Sequence, residues 1–161
     1  MKNFFLILLF CLPLSSFSQN QYEEKDLKWL KQLLESKSDT MYMLNFWATW
    51  CLPCVEELPE FEKFRDNLNN KQSQLIFISL DAPGTAAKKI SAFLTKKKVP
   101  GQIIVINAPD YNEWINLVDK SWQGSLPATL FFRGSDGKHW FSESTLTAPE
   151  LLKVSQQFLT P

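Results

Sequence analysis

Cys51 and Cys54, separated only by Leu52 and Pro53, are the residues of this chain best suited to chemistry. They follow a short apolar run and open a stretch of helical periodicity. A helix N-terminus offers unpaired N–H groups and a partial positive charge, both of which favour a thiolate over a thiol. Cys51, at the mouth of the helix, is expected to be the more exposed and more acidic thiol. Cys54, one turn further in, is placed to attack a mixed disulfide formed on Cys51 and release the product. Pro53 fits the first turn, where a missing N–H costs nothing. Two other uses of the pair stay open. A structural disulfide is one, although so short a loop restrains the unfolded chain weakly. A metal centre is the other, but the chain has one His, the distant His139, and no Met beside the pair. The pair in an alternating α/β chain favours redox chemistry.

The third cysteine, Cys11, falls in residues 1–18. That segment begins with Lys2, continues as an apolar stretch over residues 4–14 and ends in the small-x-small triplet Ser16-Phe17-Ser18. It has the layout of a secretory signal peptide cut after Ser18. The stretch is short for a membrane span, and Pro13 interrupts it. An uncleaved anchor is the alternative; acylation of Cys11 is disfavoured by the bulky Phe10 before it. Cleavage leaves a domain of residues 19–161 with only Cys51 and Cys54, in an exported, disulfide-permissive compartment. The full chain of 161 residues carries 17 basic and 17 acidic side chains, a net charge of zero. That balance argues against a nucleic-acid grip and against strong attraction to anionic membranes.

The elements that must position the pair follow from periodicity. Helices are expected over residues 22–37, 54–69, 85–97, 111–120 and 149–159, with Pro59 kinking the second. Strands are expected at Met41–Trp47, 75–80, 103–106, Ala128–Arg133 and Lys138–Ser142. The last two form a hairpin about Ser135-Asp136-Gly137. Strands alternating with helices predict parallel pairing, and the hairpin makes the sheet mixed. Trp47, Trp114, Trp122 and Trp140 read as core or half-buried, and His139 as a surface residue. Lys88, Lys89 and Lys96-Lys97-Lys98 read as a solvated helix face, with partner docking as the alternative.

Residues 45–54 (NFWATWCLPC), continued by Val55-Glu56-Glu57-Leu58-Pro59, resemble the active-site segment of thioredoxin-fold proteins. The closest likeness is to exported TlpA/ResA-like thiol-disulfide oxidoreductases. Leu126-Pro127-Ala128-Thr129 resembles the family's apolar-Pro-x-Thr loop, and Asp136-Gly137-Lys138 its hairpin. The resemblance implies a thioredoxin fold: an α/β domain whose central mixed sheet has helices on both faces, here with an N-terminal helical extension. It implies a disulfide reductase without a cofactor. Electrons would come from a membrane thiol relay, and protein disulfides would be the substrates, apocytochrome c being a frequent target. The protein is expected to be monomeric. An oxidase or isomerase on the same fold, and a metal-binding chaperone using both sulfurs, are the rival readings.

The resemblance also assigns residues. Pro127 would follow a cis bond, turning the Leu126 backbone toward an extended substrate. Trp50 and Pro53, with Leu126 and Pro127, would form the docking surface. Cytosolic thioredoxins have a buried Asp where this chain has Asn45, which cannot exchange a proton. Glu57, three residues after Cys54 and near the same helix face, is the candidate for that task, with a raised pKa. Strongly oxidising relatives place a His between the cysteines. Leu52 and Pro53 supply no such charge, so a reducing pair is expected.

Overall fold

The computed structural model describes residues 22–68, 72–108, 110 and 112–159. The signal-peptide reading of residues 1–18, Cys11 included, lies outside the described residues. The elements are β1 (Glu23–Lys25), α1 (Leu27–Leu34), β2 (Met41–Trp47), α2 (Leu52–Asn67), β3 (Ser73–Ser79), α3 (Pro83–Leu94), β4 (Gln102–Ile106), α4 (Asn112–Val118), β5 (Ala128–Arg133), β6 (Lys138–Ser142) and α5 (Ala148–Leu159). Six strands form one sheet in the order β1-β4-β3-β2-β5-β6. β1, β4, β3 and β2 run parallel, while β5 is antiparallel to β2 and β6 to β5. The sheet is mixed, as the alternation and the hairpin predict.

Alternate residues of β2 show how the layers are divided. Phe46 meets Trp114 of α4 and Trp122 on one face, with ring centroids 5.9 and 4.6 Å away. Trp47, pointing oppositely, meets Phe93 of α3 at 5.2 Å. On that same side Phe61 of α2 stacks edge-on against Phe77, and Phe64 and Phe158 both contact Phe131. So α2, α3 and α5 cover one face, and α4, with α1 beside it, covers the other. Phe46, Trp47, Phe61, Phe64, Phe77, Phe131 and Trp114 are all fully buried. Each such ring contributes roughly 2–3 kcal/mol by leaving water, so aromatic burial dominates this core.

The beginning of the domain departs from expectation. Residues 22–25 do not continue a helix: Glu23–Lys25 is a strand on the β4 edge, and the helix starts only after Asp26. Asp26 caps α1 by accepting the Trp29 N–H at 2.8 Å, which satisfies one of the unpaired donors of the first turn. The fold therefore opens with a strand and a short helix, rather than a helical extension. α2 begins at Leu52, two residues before the expected start, and runs through Pro59 without ending there. Its partner on the same face, α5, is started by Thr147, whose N–H and hydroxyl both donate to the Glu150 carboxylate, the backbone half of a capping box.

The end of the sheet away from the cysteines is closed by contact between two loops. The Ser135 N–H donates to the Ser38 carbonyl at 3.1 Å. A Cβ on Gly134 would lie 1.6 Å from the Ser36 carbonyl oxygen. Only a glycine permits this approach, because any side chain must displace backbone. Gly134→Ala is expected to cost roughly 2 kcal/mol of stability, measured by urea unfolding; a loss below about 0.5 kcal/mol would show that the loop yields freely.

Candidate active site

β2 ends at Trp47, and four residues later the chain enters α2, so Cys51 falls at the helix entrance. Its sulfur accepts the Cys54 N–H at 3.3 Å and caps α2 in place of a Ser or Asp. Cys51 and Cys54 form a disulfide, with their Cα atoms 5.3 Å apart. Cys51 is the more exposed of the two, but only at 6% against 1% for Cys54. The solvent-facing surface is made instead by Trp50 and Leu52, 64% and 66% exposed. Pro53 occupies the first turn of α2, as its missing N–H allows.

The approach to this pair is fixed from below by a carboxylate that periodicity alone did not single out. Asp81, buried just past β3, accepts the Thr49 N–H at 2.9 Å, the Thr49 hydroxyl at 2.7 Å and the Ser79 hydroxyl at 2.9 Å. Those bonds tie the segment before Cys51 to the end of the neighbouring strand. The available signal was Ser79-x-Asp81 at the end of an apolar strand, a place where an acid is costly unless it is hydrogen-bonded.

Behind the disulfide lies a small polar layer within the apolar core. Asn45 of β2 donates through Nδ2 to Glu57 Oε1 and to Thr129 Oγ1, each at 3.1 Å. The other Glu57 oxygen accepts the Leu146 N–H at 3.2 Å. Glu57 is only 4% exposed. Burial pushes its pKa up to about 7, while the hydrogen bonds from Asn45 and Leu146 oppose that rise. The neighbouring Glu56 is exposed, as helix geometry requires. Among the sequence-predicted site residues, Cys54 and Glu57 therefore share the buried side of α2. A cleft of about 270 Å³ between Pro53, Glu60 and Thr147 leads from solvent to Glu57.

The peptide bond between Leu126 and Pro127 is cis. Leu126 forms one wall of an open groove of about 680 Å³, whose other sides include Trp50, Cys51, Leu52 and Ile115. The structure thus gathers Trp50, Pro53, Leu126 and the outer sulfur around one apolar depression. Pro127 itself is buried, immediately before β5. Trp47 belongs to the core, and His139 lies far along the hairpin, paired with Asp119 at 2.6 Å. Among the described residues no group of three or more His, Cys, Asp or Glu side chains is arranged to hold a metal ion.

Residues 13–136 match the model of the AhpC/TSA family. The chain belongs to the AhpC/TSA family. Among curated proteins it is 32% identical over 92 residues to the thioredoxin-like protein YneN of Bacillus subtilis, covering 55% of this chain and 53% of that protein. It is 44% identical over 39 residues to the thiol-disulfide oxidoreductase ResA of Oceanobacillus iheyensis, covering 24% of this chain and 20% of the relative. The match to the sporulation thiol-disulfide oxidoreductase A of Bacillus subtilis is 29% over 63 residues, 39% of this chain and 38% of that one. The chain thus spans about half or less of the length of these relatives. A thioredoxin-related protein from Neisseria meningitidis serogroup B superposes with a TM-score of 0.67 at 21% identity, over 78% of this chain and 89% of that one. StoA from Bacillus subtilis superposes with a TM-score of 0.57, also at 21% identity, over 73% and 84%. This AhpC/TSA-family chain has the thioredoxin fold. Among the described residues, no helix is long and apolar enough to cross a membrane.

Proposed function

We propose that the protein is an exported thiol-disulfide oxidoreductase that reduces disulfides in partner proteins. The observation carrying this reading is the Cys51–Cys54 pair at the N-terminus of α2, bordered by an apolar groove and backed by a buried carboxylate. Relatives named thiol-disulfide oxidoreductases support the same chemistry. In the reduced protein the Cys51 thiolate attacks one sulfur of the substrate disulfide, and the other leaves as a thiolate. Cys54 then gives up its proton, with Glu57 as the acceptor, and attacks the Cys51 sulfur. The second substrate thiolate departs. The substrate gains two electrons and takes up two protons, one of them returned from Glu57, while Cys51 and Cys54 become a disulfide.

The partner segment occupies the groove between Trp50 and Leu126, its backbone lying beside the Leu126–Pro127 turn in extended form. Pro53 holds the first turn of α2 while the sulfurs exchange partners. Apocytochrome c is one substrate of suitable chemistry, and a membrane thiol relay returns the electrons. The protein works as a monomer outside the cytoplasm, delivered there by residues 1–18.

Reduction is the favoured direction because Leu52 and Pro53 place no cation between the sulfurs to stabilise the thiolate form. Equilibration with a thiol redox buffer is expected to give a potential between roughly −200 and −300 mV. A value close to about −120 mV, typical of a strong oxidant such as DsbA, would make the protein an oxidase instead.

A further inference from the structure

The zero net charge of the chain conceals a separation of charge along the sequence, one of whose lysines borders the groove of the disulfide. Residues 82–109 contain Lys88, Lys89, Lys96, Lys97 and Lys98 and no acidic residue, whereas the remainder holds twelve basic against seventeen acidic side chains. All five lysines are exposed, the first two within α3 and the others just past its end. Among the described residues, Lys89 is the only charged one lining the groove that contains Cys51.

The surroundings of Lys89 leave its ammonium group available. Its Nζ lies 3.9 Å from Asp81 Oδ1, an ion-pair distance too long for a hydrogen bond. The Asp81 oxygens are taken by Thr49 and Ser79. Asp81 therefore holds the ammonium near the groove without occupying its donors. The groove's other walls include the apolar Trp50, Leu52, Ile115 and Leu126. A segment that fills this groove finds apolar contact next to the sulfur and the Lys89 ammonium at the side.

We propose that the groove selects partner segments in which the disulfide cysteine is flanked by apolar residues and by an acidic side chain. Lys89 is the specificity-determining contact, and the inference rests on the groove being the substrate surface. Lys88, next to Lys89 on α3, adds to the positive field near the groove, which speeds encounter with acidic segments and slows encounter with basic ones. Lys96, Lys97 and Lys98 lie past the far end of α3 and contribute little there. The discrimination is local. At moderate salt such a field reaches about 10 Å, so the flanking charge must lie within a few residues of the cysteine.

The test uses the reduced full chain and two synthetic disulfide peptides, identical except for Glu or Lys beside the apolar flank. Rates of disulfide reduction are compared at about 20 mM and about 1 M NaCl, salt concentrations that bracket weak and strong screening. At low salt the Glu peptide is expected to react about tenfold faster, and at high salt the two should come within about twofold. Lys89→Glu is expected to reverse the order at low salt. Equal low-salt rates, with both peptides reduced, would overturn the selectivity and leave the reductase standing. So would a preference unchanged by both salt and Lys89→Glu. If neither peptide were reduced, the reductase reading itself would fail, and the selectivity with it.

Discussion

Cys54→Ser is expected to end turnover and leave partner proteins joined to Cys51 as mixed disulfides. The two sulfurs occupy different environments: Cys51 caps α2 at the edge of the groove, while Cys54 lies almost fully buried one turn inside. Attack on the partner requires only the outer sulfur. Release requires the inner one, and a serine hydroxyl at position 54 is too weak a nucleophile at neutral pH to replace it. Multiple-turnover disulfide reduction should fall by about a thousandfold or more. Adducts should appear on non-reducing gels of an extracytoplasmic extract and vanish on adding a thiol. The reverse variant, Cys51→Ser, should form no such adducts, because Cys54 is shielded from partners by its burial. Equal trapping by both variants would contradict the assigned order of attack. Recovery of no protein partner with Cys54→Ser would count heavily against a protein reductase.

Glu57 is expected to make the protein less stable as the pH rises from about 4 to about 8. Its pKa is raised from 4.5 to about 7 in the folded state by burial. Below 4.5 the carboxyl is protonated whether the chain is folded or not. Between 4.5 and about 7 the unfolded chain loses the proton while the folded one keeps it, so unfolding becomes progressively easier. Above about 7 both forms are ionised and the loss is complete, at roughly 3 kcal/mol. Glu57→Gln removes this contribution, so urea unfolding at pH 5 and pH 8 should show a flatter dependence in the variant. The same substitution should abolish an inflection near pH 7 in the disulfide-exchange rate. Unchanged thiol pKa values and exchange rates in Glu57→Gln would exclude the carboxylate as a proton acceptor. Parallel stability profiles would exclude its raised pKa.

Much of the site was legible because its central residues are neighbours in sequence. Cys51, Pro53, Cys54 and Glu57 lie within two turns of one helix, where spacing alone puts the last two on one side. The partners of Glu57 were harder to read. Asn45 is twelve residues away on a strand, and the Leu146 N–H is 89 residues away and carries no side-chain signal at all. Thr129 was visible only as the last residue of the apolar-Pro-x-Thr loop, and its bond to Asn45 depends on the pairing of β2 with β5. Asp81 gave a faint signal because a single acid after a strand ordinarily reads as a loop residue. In the fold, β1 was missed for a similar reason. Glu23-Glu24-Lys25 forms a charged edge strand, joined to β4 by backbone pairing and by a Gln102–Glu23 side-chain bond, so no apolar alternation marks it. The leucine pattern of α1 then drew the helix across it.

The bond from Leu146 to Glu57 also bears on when the site becomes complete during biosynthesis. Chains emerge from the ribosome N-terminus first, and contacts between distant positions form late because they must close long loops. The segment bearing the two cysteines emerges well before Leu146 and Ala148, whose N–H groups close onto Glu57 and Glu60. Until residues 146–148 dock, Glu57 lacks the Leu146 bond and part of the cover that buries it. The newborn chain therefore possesses its sulfurs before it possesses the environment that governs them, and its last helix turns a cysteine pair into a tuned one.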